Sequence, residues 1–203
     1  MLSERDEFWN LRYGNAEYVY GEEPNEFFVN QISKLKKGNL LLPCEGEGRN
    51  AVYAAALGWQ VNAFDRSSEG KNKALQLAQK KGVIIDYQIA DASVIDYPEN
   101  SFDIVAFIYA HFSSTQRAQI HKKAISWLRP GGKIILEAFN PKQLKNNSGG
   151  PKELSMLYTL EMLQSDFSSL RFDLIQNIQT TLKEGSFHDG IADVIQFVGA
   201  KLF

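Results

Sequence analysis

Two glycines, a helix start and a carboxylate one strand further on form the part of this sequence best suited to chemistry. The stretch Asn39 to Asn50 reads Asn-Leu-Leu-Leu-Pro-Cys-Glu-Gly-Glu-Gly-Arg-Asn. A short apolar run, then turn residues, then helical periodicity predict a buried parallel strand, a glycine turn and a helix start. Gly46 and Gly48 lack the Cβ atoms that keep a backbone away from a ligand, and the helix opening near Arg49 and Asn50 offers free N–H groups. With Ala51 the stretch fits the G-x-G-x-x-G/A pattern of dinucleotide folds, which a purely structural glycine turn also meets. The next apolar run, Gln60 to Phe64, ends at Asp65, about the 20 residues downstream at which such folds place an acid for a ribose. A carboxylate there accepts from both vicinal hydroxyls. The competing use of Asp65 is a helix N-cap shared with Ser67 and Ser68.

Further candidates lie later in the chain. His188 sits in Lys183-Glu-Gly-Ser-Phe-His-Asp-Gly190, where it either deprotonates or hydrogen-bonds a ligand or stands exposed on a turn. His111, in Tyr-Ala-His-Phe, either faces a reacting group or caps the helix that follows. Arg117, early in that helix, either binds an anion or is solvated, and His121 reads as structural. The three histidines show no HxH or HExxH spacing, so no metal site is expected. Near the start, Phe8, Trp9, Tyr13, Tyr18 and Tyr20 form an aromatic cluster that either packs on the core edge or acts as a lid. Aromatic faces stabilise a cationic ligand by roughly 0.5 to 2 kcal/mol.

The elements that must position these residues alternate. Ser3-Glu-Arg-Asp6 has capping-box spacing for a first helix to Tyr13, and a second runs from about Asn25 to Leu35. After the Asn39 strand come a helix to about Leu57, the Gln60 strand, a helix from Ser68 to Lys81 stopped by Gly82, and a third strand over Val83 to Ile89. Asp91-Ala-Ser follows. Phe102 to Tyr109 is nearly all apolar, as a central parallel strand should be. Ala118 to Leu128 is helical, Arg129-Pro-Gly-Gly132 is a turn, and Lys133 to Phe139 is a fifth strand. This alternation predicts a doubly wound α/β sheet with helices on both faces and a ligand at the carboxyl ends of the strands. Asn140 to Pro151 reads as a long mobile loop suited to gating, followed by a helix from Thr159 to Asp166. Phe172 to Leu182 and Ile191 to Leu202 read as a hairpin, so one of its strands runs against the parallel sheet.

Size and charge narrow the class. At 203 residues and 44% hydrophobic, one globular domain with a three-layer core is expected. A formal charge of −2 offers no overall footprint for nucleic acid, and Lys34-Leu-Lys-Lys37, Lys80-Lys81 and Lys122-Lys123 fit helix ends. Cys44, the only cysteine, excludes a disulfide framework. Neither a signal-peptide pattern nor a membrane-length apolar run appears, so a cytoplasmic protein without membrane partners is expected.

Taken together, five parallel β-α units, a glycine turn after the first strand, an acid after the second, Asp91-Ala92 after the third, Arg129-Pro-Gly-Gly132 before the fifth and a terminal hairpin resemble a class I S-adenosylmethionine-dependent methyltransferase over nearly the whole chain. The resemblance implies a Rossmann-like, mostly parallel seven-stranded sheet. It divides a single domain, residues 1–203, into a lid segment (1–38), a cofactor core (39–139) and a loop, helix and hairpin (140–203). More narrowly, Tyr20-Gly-Glu-Glu-Pro24, Glu45-Gly-Glu-Gly-Arg-Asn50, Gly149-Gly-Pro-Lys152 and Ile195-Gln-Phe-Val-Gly199 resemble the branch with tellurite-resistance and thiopurine methyltransferases.

The resemblance also implies roles. S-adenosylmethionine is the expected cofactor, with Gly46 and Gly48 beside its methionine part and Glu45, Glu47, Arg49 and Asn50 around it. Asp65 would hold the ribose hydroxyls, Arg66 would lie over the adenine edge, and Asp91 would accept from the adenine amino group, with Ala92 contributing its backbone N–H. Tyr109 would touch the cofactor near the reactive methyl. His188 matches by position a histidine beside the active site of the tellurite enzyme; with His111 and Arg117 it completes the acceptor-side candidates. The expected acceptor is a small molecule with a soft nucleophile: a thiol, selenium or metalloid oxyanion. Leu42 and Pro43 stand where the family usually has an acid, and Cys44 replaces its first glycine, which leaves the anchor of the cofactor's amino group open, with Glu45 as one substitute. The tellurite enzyme's arginines after its histidine are replaced by Asp189-Gly-Ile-Ala-Asp193. Two alternatives stand beside this reading: a nicotinamide-dependent oxidoreductase and a non-catalytic protein that binds S-adenosylmethionine.

Overall fold

The computed structural model describes residues 4–203, so Ser3 and the capping box it would open lie outside the described residues. Seven strands form one sheet in the order β3-β2-β1-β4-β5-β7-β6. The first five, β1 (Asn39–Pro43), β2 (Gln60–Asp65), β3 (Asp86–Ile89), β4 (Phe102–Ile108) and β5 (Leu128–Phe139), run parallel to one another. β7 (Asp189–Lys201) is antiparallel to both β5 and β6 (Leu170–Lys183), which places the expected hairpin inside the sheet. The order reverses at β1 and β4, and a crevice opens there above the strand ends because the connections leave toward opposite faces.

The apolar runs explain the layers. Leu40, Leu41 and Leu42 are fully buried, and alternate residues feed alternate faces. Leu40 and Leu42 join Ala51, Ala74, Leu77 and Ala78 of helices α3 (Arg49–Ala56) and α4 (Ser68–Lys81). Leu41 joins Phe107, Trp127 and Phe197 on the other face, under α5 (Ser114–Trp127) and α6 (Leu160–Asp166). The N-terminal helices are α1 (Glu4–Tyr13) and α2 (Glu26–Ile32), the latter capped by the Asn25 side chain on the Phe28 N–H. Among the described residues no helix is long and apolar enough to cross a membrane.

Four expectations change. The third strand starts at Asp86, not Val83, because the Val83 N–H still closes α4 on the Ala78 carbonyl after Gly82 at φ +68°. The fifth helix begins at Ser114 rather than Ala118. Arg129 to Gly132 belongs to β5, where an irregular register opposite Phe102 and Ile104 absorbs what reads as a turn. The loop after β5 is tied down rather than free: it contains a 3-10 turn (Pro141–Lys145), and Asn140, Asn146 and Ser148 bond Val194, Asp193 and Ile191 of β7. Gln143, 1% exposed, accepts from the Asp193 N–H.

Candidate active site

A cavity of about 810 Å³ lies over the carboxyl ends of β1, β2 and β4. That volume is within the range of small-molecule sites. Phe8, Trp9, Arg12 and Tyr13 of α1 close one side, Ser186, Phe187 and His188 of the β6–β7 turn another, and residues 147–153 a third. The segment that follows α1 touches the β6–β7 turn. The Phe187 N–H donates to the Val19 carbonyl at 3.3 Å, and a Cβ on Gly185 would stand 2.5 Å from the Gly21 nitrogen. Tyr20 and His188 pack ring to ring at 4.6 Å.

At one end is the glycine turn. Gly46 lines the cavity at φ +60°, and its N–H donates to Asp65 Oδ2 at 3.1 Å. The second Asp65 oxygen accepts from the Ser67 N–H at 2.9 Å. Asp65 is 5% exposed, and burial, opposed by these bonds, pushes its carboxyl up to about 6. Arg66 bridges Asp91 and Asp6, and Asp91 also holds the Ser93 N–H and hydroxyl. Ala92 and Cys44 complete this end. Cys44 stands at φ +56°, a left-handed backbone that suits glycine and costs another residue about 1 to 2 kcal/mol. Burial drives its thiol well above the usual range, which keeps it protonated.

The acidic residues of the turn are already engaged. Gly48, the residue before α3, has no side chain to cap it, and Glu45 does the work instead: Oε1 accepts from the Asn50 and Ala51 N–H groups at 2.8 Å each. Burial outweighs these bonds and raises Glu45 to about 7. Glu47 accepts from the Val19 and Tyr20 N–H groups and from Lys73 Nζ at 2.8 Å, tying the segment after α1 to α4. Arg49 pairs with Glu184 at 2.9 Å, and Asn50 Oδ1 takes the Asn25 N–H.

Gly48 does not line the cavity. At φ +85° it faces α4, where an added Cβ would lie 2.5 Å from the Ala74 Cβ. Its glycine requirement comes from helix packing. Gly48→Ala is therefore expected to destabilise the fold by about 3 kcal/mol in urea melts, combining left-handed strain with overpacking.

At the other end aromatic rings surround His188. Tyr109 stands at φ +54° and stacks on Phe139 at 4.7 Å, and His188 meets both rings edge-on at 4.5 and 5.3 Å. His188 Nδ1 lies 3.3 Å from Glu184 Oε2. A carboxylate only accepts, so Nδ1 carries the proton and Nε2 keeps its lone pair. Nε2 makes no hydrogen bond among the described residues. Burial first, with Arg49 and Arg12, lowers the imidazole below its usual range against the pull of Glu184. His188 and Arg49 hold Glu184 down to about 2 despite its burial.

His111 also lines the cavity but is bound at both nitrogens. The Phe139 N–H donates to Nε2 at 3.2 Å, which fixes the proton on Nδ1, and that donates to the Met156 carbonyl at 2.7 Å. Burial lowers it to about 4, so it is a neutral strut. Arg117 is not brought to the cavity at all. Its Nε lies 2.6 Å from Asp166, which also holds His121 at 2.8 Å, and this corrects its expected acceptor-side role.

The sequence reading missed Glu184, Asn25 and Glu137. Asn25 Nδ2 reaches Glu137 at 2.7 Å and Glu184 at 3.1 Å, while Tyr109 and Gln196 hold Glu137 from the other sides. Only Glu184 left a local signal, being four residues before His188 in the same turn.

Known proteins agree with this architecture. Residues 43–136 match the family model described as a methyltransferase domain. Phosphoethanolamine N-methyltransferase 1 of Triticum aestivum is 24% identical over 195 residues, 90% of this chain and 36% of that protein. The chain thus spans about a third of the length of the first curated relatives it matches. N-methyltransferase NodS of Bradyrhizobium japonicum, solved with S-adenosyl-L-homocysteine, superposes with a TM-score of 0.72 at 12% identity, covering 98% of this chain and 99% of its own. TehB of Haemophilus influenzae gives 0.71 at 15% identity, over 97% of this chain and 67% of its own. Two scores so close do not single out the tellurite branch. The sheet order, the glycine turn and the match over residues 43–136 all agree with a methyltransferase domain.

Proposed function

We propose that this chain transfers the methyl group of S-adenosylmethionine to a small-molecule acceptor with a soft nucleophile, foremost a thiol or selenol, and that His188 is the base. The observation that carries this is the neutral imidazole whose Nδ1–H is fixed by Glu184 and whose Nε2 is unengaged beside Tyr109 and Phe139.

The cofactor fits the residues present. Gly46 opens a cradle, Asp65 keeps lone pairs for ribose hydroxyls, and Arg66, Asp91 and Ala92 line the far end where adenine would lie. Glu45, Glu47, Arg49 and Asn50 also line the cavity, held in place by the bonds above. When bound, the sulfonium supplies an activated methyl group. His188 Nε2 accepts the acceptor's proton, and Glu184 steadies the resulting charge. Tyr109 and Phe139 keep water from the reacting atoms and hold the acceptor in line, a service worth on the order of 7 to 11 kcal/mol in well-oriented reactions.

The weakness of the base favours a soft acceptor. An imidazole held below its usual range can still draw a proton from a thiol, whereas an alcohol lies far beyond it. A second reading, transfer to an amine that carries an anionic group, is favoured by the wheat relative's name and by exposed Lys152 at the cavity edge. Thermal shift separates the cofactor classes: S-adenosylhomocysteine is expected to raise the melting temperature and NADH to leave it unchanged, the reverse result overturning the proposal. Turnover with a panel of thiols, selenols, tellurite and phosphoethanolamine then ranks the acceptors, and no turnover with any of them would favour a binding protein.

A further inference from the structure

Asn25 is 2% exposed, and each of its polar groups is engaged. Its backbone N–H donates to Asn50 Oδ1 at 2.9 Å, and its carbonyl takes the Val29 N–H at 3.0 Å. Its side-chain Oδ1 accepts from the Phe28 N–H at 2.9 Å as the cap of α2. The amide nitrogen therefore points the other way, where its two N–H groups donate to two different acids: Glu137 Oε1 at 2.7 Å and Glu184 Oε1 at 3.1 Å. Glu137 is 3% exposed and makes no ion pair among the described residues. It also accepts from the Tyr109 hydroxyl at 3.0 Å and from Gln196 at 2.6 Å. Capping needs only an oxygen, so the helix by itself gives the bridging amide no use.

We propose that Asn25 is a positioning residue for proton transfer, holding Glu184 in the orientation that keeps the His188 proton on Nδ1. The inference rests on the His188 base assigned above and adds what aims it. Glu184 begins the β6–β7 turn, and its two oxygens are divided: Oε2 is shared by Arg49 at 2.9 Å and His188 Nδ1 at 3.3 Å, while Oε1 is held by Asn25. Without the amide the carboxylate is free to turn both oxygens onto the Arg49 fork, which suits a bidentate pair, and the imidazole loses its partner. The amide also stands between two acids that repel. Burial raises the Glu137 carboxyl, and the Glu184 charge adds to that rise. Through Glu137 the same amide reaches Tyr109, whose ring meets His188 edge-on at 4.5 Å. One side chain thus ties both the partner of the base and the ring beside it to the sheet.

Three substitutions separate aiming from capping. Asn25→Ser and Asn25→Asp keep an oxygen for the Phe28 N–H and lose both bridging donors, whereas Asn25→Ala loses cap and bridge together. Asn25→Ser is expected to lower kcat with a thiol acceptor about 5- to 50-fold and to leave the Kd for S-adenosylhomocysteine within about twofold, as a misaimed base with an intact cradle should. Asn25→Asp should show the same split. Nitrogen-detected NMR needs no acceptor: His188 in Asn25→Ser should gain a population with the proton on Nε2. A double-mutant cycle with Glu184→Gln then shows whether Asn25 acts through Glu184, in which case Asn25→Ser should cost less than about twofold once Gln stands at 184. Wild-type kcat and an unmixed tautomer in Asn25→Ser, with Asn25→Ala alone impaired, would reduce Asn25 to a helix cap and overturn the proposal. Losses that simply multiply in the cycle would overturn it as well. Full turnover in His188→Ala would instead defeat the base assignment itself.

Discussion

Asp65→Ala is expected to weaken S-adenosylhomocysteine binding by roughly 1 to 3 kcal/mol, about 5- to 150-fold, because ribose hydroxyls set against that carboxylate would lose their acceptor. The variant also releases the Gly46 and Ser67 N–H groups, so part of the effect is a loosened glycine turn. Asp65→Asn separates the two, since an amide still offers one oxygen but no charge. pH gives a second readout with a definite sign. Burial raises the carboxyl to about 6 in the free protein, above its ordinary value, so this group favours the fold below its unfolded pKa and loses that contribution as pH rises through about 6. Two hydroxyl donors favour the carboxylate, so cofactor affinity should increase over the same rise. Wild type is therefore expected to bind S-adenosylhomocysteine more weakly at pH 5 than at pH 7.5, while Asp65→Asn shows a flatter profile. Wild-type affinity in Asp65→Ala would remove the ribose role.

The cradle was legible because local rules produce it. Leu40 to Leu42 must be a strand, two glycines must be a turn, and an acid ending the next parallel strand must arrive beside that turn, since β1 and β2 pair in register from Asn39 opposite Gln60. At the other end His188, His111 and Tyr109 were legible, but the contacts that orient them were not, because some of these run across more than a hundred residues. Asn25 to Glu137 and Arg49 to Glu184 are pairings that no spacing announces. Arg117 illustrates the converse: its place in the helix after β4 made it a candidate, but Asp166, arriving on α6, took the charge. Glycines mislead in the same way. Gly46 and Gly48 look alike in a motif, and only the position of Ala74 distinguishes a residue that opens the cavity from one that admits a helix.

His188→Ala should lower kcat about 10²- to 10⁴-fold with a thiol acceptor, the usual span for losing a positioned base, and leave the Kd for S-adenosylhomocysteine within about twofold. Glu184→Gln is the sharper experiment. Glu184 raises the His188 pKa and keeps the proton on Nδ1, while burial, Arg49 and Arg12 lower it. Removing the carboxylate's charge therefore moves the acid limb of the pH–rate profile to lower pH. It also reduces the plateau by on the order of tenfold, through a weaker base and a less fixed tautomer. Glu184→Asp should restore the limb in part. The chain has three histidines, so nitrogen-detected NMR follows each ring directly, with His188→Ala assigning the third. His188 is expected as the Nδ1–H tautomer, titrating below its ordinary value and lower still in Glu184→Gln. A protonated Nε2 in the resting protein, or an acid limb that ignores Glu184→Gln, would remove His188 from proton transfer. The aromatic end would then act on its acceptor by shape alone.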